Sequence, residues 1–168
     1  NIQKSLKRLN NYQIYNILDK MWENLGRIIV EYYFINKKSK KEFDKIITLD
    51  DNSKKNLQKL RRSKKGGILF SSHFGNWEVG AKYLSLNNLK CKFLYRPLNN
   101  KYVDKLLSLD QRKGIEMIGK GVLGSKEVIK CLKNNEFVII MADQRVGDGI
   151  KVPFFGRNAL TSPSLAKL

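Results

Sequence analysis

The sequence is short of several residue types, and each shortage narrows the possible functions. The only histidine among 168 residues is His73, which excludes a metal site built on two histidines of this chain. The only cysteines, Cys91 and Cys131, have no metal-like spacing, so we expect two buried thiols kept reduced in a reducing compartment. The longest apolar runs, such as 137–142, fall far below the roughly 18 residues that cross a bilayer. No segment resembles a secretory signal.

Acidic residues are also scarce. There are 15 Asp and Glu against 33 Lys and Arg, which gives a formal net charge of +18. This excess predicts an acidic partner, which could be nucleic acid, an anionic membrane surface or an acidic protein. Hydrophobic residues make up 42% of the chain, too many for a disordered segment. A chain of this length buries about 70% of its unfolded surface, so we expect a single domain spanning residues 1–168.

The first part of the chain, residues 1–41, is predicted to be helical. Apolar residues recur there at steps of three and four, first at Ile2, Leu6 and Leu9 and then repeatedly from Ile14 to Ile29. Core packing of the second stripe is favoured, because its polar face is not especially basic, although binding along a membrane surface stays open. Further on, residues 43–49 predict a short strand, and a basic helix is expected to end near residue 63.

From residue 66 onward, apolar runs alternate with helical patterns. Strands are predicted at 68–70, 93–95, 115–118 and 137–141, and helices at 76–86, around 103–107 and around 128–132. Residues 42–168 therefore predict an α/β core with a mostly parallel central sheet flanked by helices. Functional groups gather beyond the carboxyl ends of such strands, and His73, Arg96 and Asp143 each follow a predicted strand directly.

The segment from Ser71 to Glu78 carries the most informative polar residues. On one helix His73 and Glu78 would lie about 140° apart and could not meet. In a strand–turn–helix with Gly75 in the bend, they could hydrogen-bond, and the carboxylate would then orient a basic imidazole. Such a pair suits removal of a hydroxyl proton. The alternative is a packed histidine and a first-turn carboxylate that merely stabilises the helix dipole.

The run His73-Phe74-Gly75-Asn76-Trp77-Glu78 resembles the signature of the bacterial lipid A late acyltransferases, the lauroyl/myristoyl transferase family. The resemblance extends from about residue 22 to residue 168. Further blocks follow in the family's order, namely Asn24-Leu25-Gly26-Arg27 with Glu31, Tyr95-Arg96-Pro97 with Asn100 and Asp104, Arg112 before Gly114-Ile115, Asp143-Gln144, and Val152-Pro153-Phe154-Phe155-Gly156 before Thr161.

The resemblance implies a role for each matching residue. His73 would be the catalytic base and Glu78 its partner, with Arg112 and Asp143 as further catalytic residues, and Arg96, Asn76 and Gln144 would bind substrate. No metal and no cofactor are implied. On the residues alone, Arg112 could instead be a cation at a helix C-terminus. Asp143 could likewise be a turn residue.

The resemblance also implies a glycerolphosphate-acyltransferase-like fold and an enzyme of the cytoplasmic face of the inner membrane. It would move a fatty acyl chain from an acyl carrier protein thioester to a hydroxyl of an anionic glycolipid, a lipid A precursor. The positive charge suits the acidic carrier, the anionic acceptor and the membrane surface. Family members usually carry a membrane anchor and continue past the Phe-Phe-Gly block, so we expect an internal fragment that lacks the C-terminal part of the core.

Three alternatives remain open. A phosphatidylinositol-mannoside acyltransferase would use the same chemistry on another acceptor, and an inactive scaffold would bind lipid only. A basic nucleic-acid-binding module fits the charge. However, the chain has no recognition-helix signature, no aromatic RNP-type strand and no zinc motif, so no nucleic-acid partner is expected.

Overall fold

The computed structural model describes residues 2–102, 104–105 and 115–167. These residues form two compact units, one spanning Tyr32–Met141 and one combining Asn1–Glu31 with Ala142–Leu168. In chain order the elements are α1 (Ile2–Ser5), α2 (Asn11–Lys37), α3 (Lys40–Ile46), α4 (Asp51–Arg62), β1 (Gly67–Ser71), α5 (Trp77–Leu86), β2 (Cys91–Tyr95), β3 (Glu116–Gly119), α6 (Val122–Lys133), β4 (Phe137–Met141), β5 (Ile150–Phe154), β6 (Arg157–Thr161) and α7 (Ser164–Lys167).

The larger unit is built on a four-stranded sheet in the order β1-β4-β2-β3. All three pairings are parallel, and β4 lies between β1 and β2 with Gly67 and Cys91 both opposite Phe137. This confirms the predicted mixed α/β fold with a parallel sheet and flanking helices. The strand predicted at 137–141 matches β4, whereas β3 begins one residue later than predicted.

Helices cover the sheet because its strands are apolar on both faces. Four of the five β4 residues are buried, as expected for a central parallel strand. The chain crosses the sheet in one direction from β1 to β2 and in the other from β3 to β4, so right-handed crossovers place α5 and α6 on opposite faces. The core cluster at α5 is formed by Ala81, Phe93, Ile115 and Ile139.

The strand predicted at residues 43–49 is wrong, because this segment begins inside α3. Ser39 and Glu42 form a capping box, in which each side chain bonds the other residue's backbone N–H. A capping box satisfies two N–H groups that a helix start otherwise leaves unpaired, so it favours helix over strand. Phe43 is fully buried on this helix. The basic helix predicted to end near residue 63 is confirmed as α4, which Ser63 caps.

The predicted N-terminal helix is present as α2, but core packing was only partly the right interpretation of its apolar stripe. Of the predicted stripe only Ile28 is buried, whereas Met21 is 47% and Trp22 is 62% exposed. The other buried apolar residues of α2, Tyr32 and Ile35, lie beyond the stripe. A 27-residue helix is about 40 Å long, which exceeds the length that a small core covers. Among the described residues, no helix has both the length and the apolarity to cross a membrane.

Three carboxylates from separate parts of the larger unit converge on Lys92 in β2. Its Nζ lies 3.1 Å from Glu127 Oε1, 3.2 Å from Glu116 Oε2 and 3.9 Å from Glu136 Oε2. The hydrogen bond to Glu127 and the surrounding carboxylates raise the pKa of Lys92 above its usual range. The ammonium is therefore the counter-ion for three otherwise repelling groups.

We expect Lys92→Met to lower the free energy of unfolding at pH 7 by about 1–3 kcal/mol, because it removes that counter-ion. Since the folded-state pKa of Lys92 is raised, this contribution is fully present below the unfolded pKa of about 10.4 and is lost as pH rises through the folded pKa. Urea unfolding at a series of pH values measures it. Lys130→Met, at an exposed lysine of α6, is the control. A Lys92 effect equal to the Lys130 effect would contradict the role of the cluster.

Both cysteines are free thiols, and the predicted burial holds for Cys131 but not for Cys91, which is half-buried. Cys131 is buried, and its Sγ donates to Glu136 Oε2 at 3.1 Å. Burial raises the pKa of Cys91 to about 11 and of Cys131 to about 12. Because the thiolate is the reactive form, these raised pKa values disfavour a nucleophilic role for either cysteine at neutral pH.

Candidate active site

The connection from β1 to α5 is shaped by two residues. β1 ends at Ser71 and residues 72–76 form the turn. Gly75 has a φ of +56°, and a Cβ there would meet nothing within 4 Å, so the backbone conformation rather than crowding favours glycine. Asn76 is the N-cap, and its Oδ1 accepts from the Glu78 backbone N–H at 3.2 Å. The cap therefore already uses this N–H.

The predicted strand–turn–helix places His73 in the turn and Glu78 in the first turn of α5. The half-buried His73 ring packs edge-on against Trp77, with 4.8 Å between ring centroids and 71° between planes. The imidazole therefore lies against the helical turn that contains Glu78. Glu78 is 7% exposed, which is rare for a carboxylate that has no structural or chemical role.

A buried lysine, Lys82, was missed in the sequence interpretation. It lies one helical turn after Glu78 on the same face of α5 and is 6% exposed. Burial lowers the pKa of Lys82. The sequence pattern that could have identified Lys82 is a glutamate and a lysine four residues apart inside an apolar helix.

The loop after β2 is braced by Asp104. Its carboxylate accepts from the Leu98 backbone N–H at 2.8 Å and from the Tyr95 hydroxyl at 3.4 Å. The Lys120 backbone N–H donates to the Tyr95 carbonyl at 2.8 Å, tying this loop to the one after β3. Arg96 is exposed at the start of the braced loop. Because β1 and β2 flank β4, their carboxyl ends lie about 10 Å apart at one edge of the sheet.

The predicted site residues are distributed unevenly over the structure. His73, Asn76, Glu78 and Arg96 lie in the larger unit, at or just beyond the carboxyl ends of β1 and β2. Asp143 and Gln144 belong to the other unit, where both side chains are exposed. Arg112 lies outside the described residues. The roles of all these residues remain predictions.

An open cavity of about 580 Å³ lies where β3 leads into α6. Gly121, with a φ of +135°, precedes α6, whose first turn has no side-chain cap. The cavity is lined by Met117, Ile118, Gly119, Lys120, Gly121, Val122, Leu123, Gly124 and Glu127. The lining contains apolar side chains and one exposed cation, Lys120.

Large apolar side chains are exposed near the carboxyl ends of three strands. We call this set the apolar rim, and its members are Phe70, Phe74, Leu98, Tyr102, Val122 and Leu123. Phe74 is 88% and Leu123 is 80% exposed. Soluble proteins seldom expose several large apolar groups together unless those groups bind something. The rim is therefore a candidate contact surface for an apolar ligand next to the turn that carries His73.

The chemistry available at this site is acid–base chemistry. Within the described part of the chain, no three His, Cys, Asp or Glu side chains are grouped so as to hold a metal ion. A histidine beside a helical turn with a buried carboxylate has the components of a general base. These components are suited to taking a proton from a hydroxyl.

Comparison with known proteins gave one result at the family level. A family model described as bacterial lipid A biosynthesis acyltransferase matches residues 6–168. No curated protein matches the chain significantly.

Proposed function

Because this chain belongs to the bacterial lipid A biosynthesis acyltransferase family, we propose that it moves a fatty acyl group from an acyl carrier protein thioester to a hydroxyl of a phosphorylated glycolipid. Family membership establishes an acyltransferase enzyme of lipid A biosynthesis. The thioester donor and the lipid A precursor as acceptor are the proposed parts. A site at the cytoplasmic face of the inner membrane, where the acceptor would reside, is proposed with them.

One observation carries the mechanism: the half-buried His73 packs against the helical turn that holds the buried Glu78. In the proposed reaction His73 takes the proton of the acceptor hydroxyl as the oxygen attacks the thioester carbonyl. The C–O bond forms, the C–S bond breaks, and the proton passes from His73 to the leaving thiolate. Glu78 orients the imidazole in this mechanism. Asp143 and Arg112 are proposed as further catalytic residues, and Asn76 and Gln144 as substrate-binding residues.

The surroundings of His73 support lipid substrates. The apolar rim offers contacts to acyl chains, and several cations lie among its residues. Arg96, Lys101 and Lys120 are exposed there and would attract phosphate groups of the acceptor. The same charges would attract the acidic carrier protein and speed its encounter with the enzyme.

The test is to incubate the purified protein with a lipid A precursor and acyl carrier protein thioesters of several chain lengths, and to analyse the lipids by mass spectrometry. We expect one added acyl group on the precursor, with a preference for one chain length. Acyl coenzyme A and a phosphatidylinositol mannoside serve as alternative donor and acceptor. Transfer only to the mannoside would replace the proposed acceptor, and transfer only from coenzyme A would replace the proposed donor.

A further inference from the structure

The smaller unit contains an antiparallel hairpin with an aromatic tip. In its register Phe154 faces Arg157, so the turn has two residues, Phe155 and Gly156. Their φ angles are +49° and +69°. Two consecutive positive φ angles define the type I′ turn, whose twist suits a two-residue hairpin and which favours Asn-Gly.

Phe155 is an unfavourable residue for this position. Bulky side chains rarely adopt the left-handed conformation, because Cβ then approaches the following carbonyl oxygen. Burial does not compensate for the strain, since Phe154 and Phe155 are each 65% exposed. The two rings pack edge-on against each other, with 4.8 Å between centroids. Strain held without a packing benefit points to a function for the aromatic pair.

Exposed cations lie along this hairpin and just before it. Arg157 follows the turn directly, Lys151 lies three residues before Phe154 on β5, and Arg145 precedes β5. In the segment from 145 to 157 they outnumber the single acidic residue, Asp148. Aromatic rings at a narrow tip with flanking cations match the two layers of an anionic bilayer, namely the acyl boundary and the phosphate groups.

We propose that the tip formed by Phe154 and Phe155 inserts into the interface of an anionic membrane, while Arg157 and Lys151 bind the phosphates of its headgroups. The surface area that the tip can bury favours a membrane over a protein partner. Two phenylalanines bury at most about 500 Å², whereas a stable protein interface needs about 800 Å² from each side. The proposal rests on the proposed function, because a glycolipid acceptor resides in a bilayer, but its test does not require activity.

The test replaces the strained residue by the one that the turn favours. Phe155→Asn is expected to keep or raise the melting temperature, because Asn-Gly suits a type I′ turn. It is also expected to weaken binding to vesicles of phosphatidylglycerol and phosphatidylethanolamine about tenfold in co-sedimentation. Arg157→Gln should weaken binding to these vesicles but leave the weaker binding to pure phosphatidylcholine vesicles unchanged. The control is Ile129→Ser, at an exposed position of α6, which should bind as the unsubstituted protein does.

Opposite results would overturn the membrane role. If Phe155→Asn binds vesicles as tightly as the unsubstituted protein, the tip does not insert. If the same variant instead lowers the melting temperature and leaves vesicle binding intact, the aromatic pair packs against protein. If Phe155→Asn loses vesicle binding while the unsubstituted protein transfers no acyl group to any acceptor, the membrane role of the tip is supported and the proposed reaction is rejected.

Discussion

Replacing His73 by glutamine is expected to lower acyl transfer by about 10²- to 10⁴-fold, which is the usual contribution of a general base. Glutamine keeps a polar side chain in the turn but cannot accept and pass on the hydroxyl proton. The fold should survive, because the imidazole is only half-buried and its described ring contact is with Trp77. Turnover is measured with a saturating thioester donor, and thermal unfolding is measured on the same preparation.

Glu78→Gln separates a positioning role from a purely structural one. If Glu78 orients His73, the loss should fall on kcat while KM for the acceptor changes little. A variant that is merely misfolded would lose melting temperature and activity together. Near-normal turnover of His73→Gln in a folded protein would reject the mechanism.

Adding one methyl group at Gly124 is expected to destabilise the protein by about 3 kcal/mol. A Cβ at this position of α6 would lie 1.9 Å from the Gly119 carbonyl oxygen and 3.5 Å from Ile118 Cγ2. The nearest obstacle is backbone at the end of β3, so no side-chain rotation relieves the clash. The helix must move off the strand, and α6 packs on both β3 and β4. Urea unfolding of Gly124→Ala measures the loss.

Gly80→Ala is the matched control with the opposite expected sign. Gly80 lies in the interior of α5, and a Cβ there would meet nothing within 4 Å. Alanine should therefore raise the free energy of unfolding by about 0.5–1 kcal/mol, because it restricts the unfolded chain and suits a helix better. If Gly124→Ala is as stable as the unsubstituted protein or, like Gly80→Ala, more stable, the close approach of Gly124 to β3 is contradicted.

Elements with a strong local signal could be predicted from the sequence. The apolar run 137–141 became β4, and the break at Gly75 between an apolar strand and a helix pattern became the turn that carries His73. Elements with competing signals could not. Phe43 and its apolar neighbours suggested a strand, but the capping box of Ser39 and Glu42 started a helix first. The β5–β6 hairpin was missed because Phe155-Gly156 is not a usual turn pair.

The sequence by itself therefore determined the alternation of strands and helices and the turn that carries His73. It also determined the basic net charge and the ordered blocks that the family shares. Tertiary structure alone decided which groups meet across the sheet. The order β1-β4-β2-β3 brings carboxylates up to 44 residues away in sequence onto Lys92. It also decided that Glu78 and Lys82 are buried and that Gly124 must lack a side chain. Periodicity acts over a few residues, whereas contacts between strands depend on the packing of the whole unit.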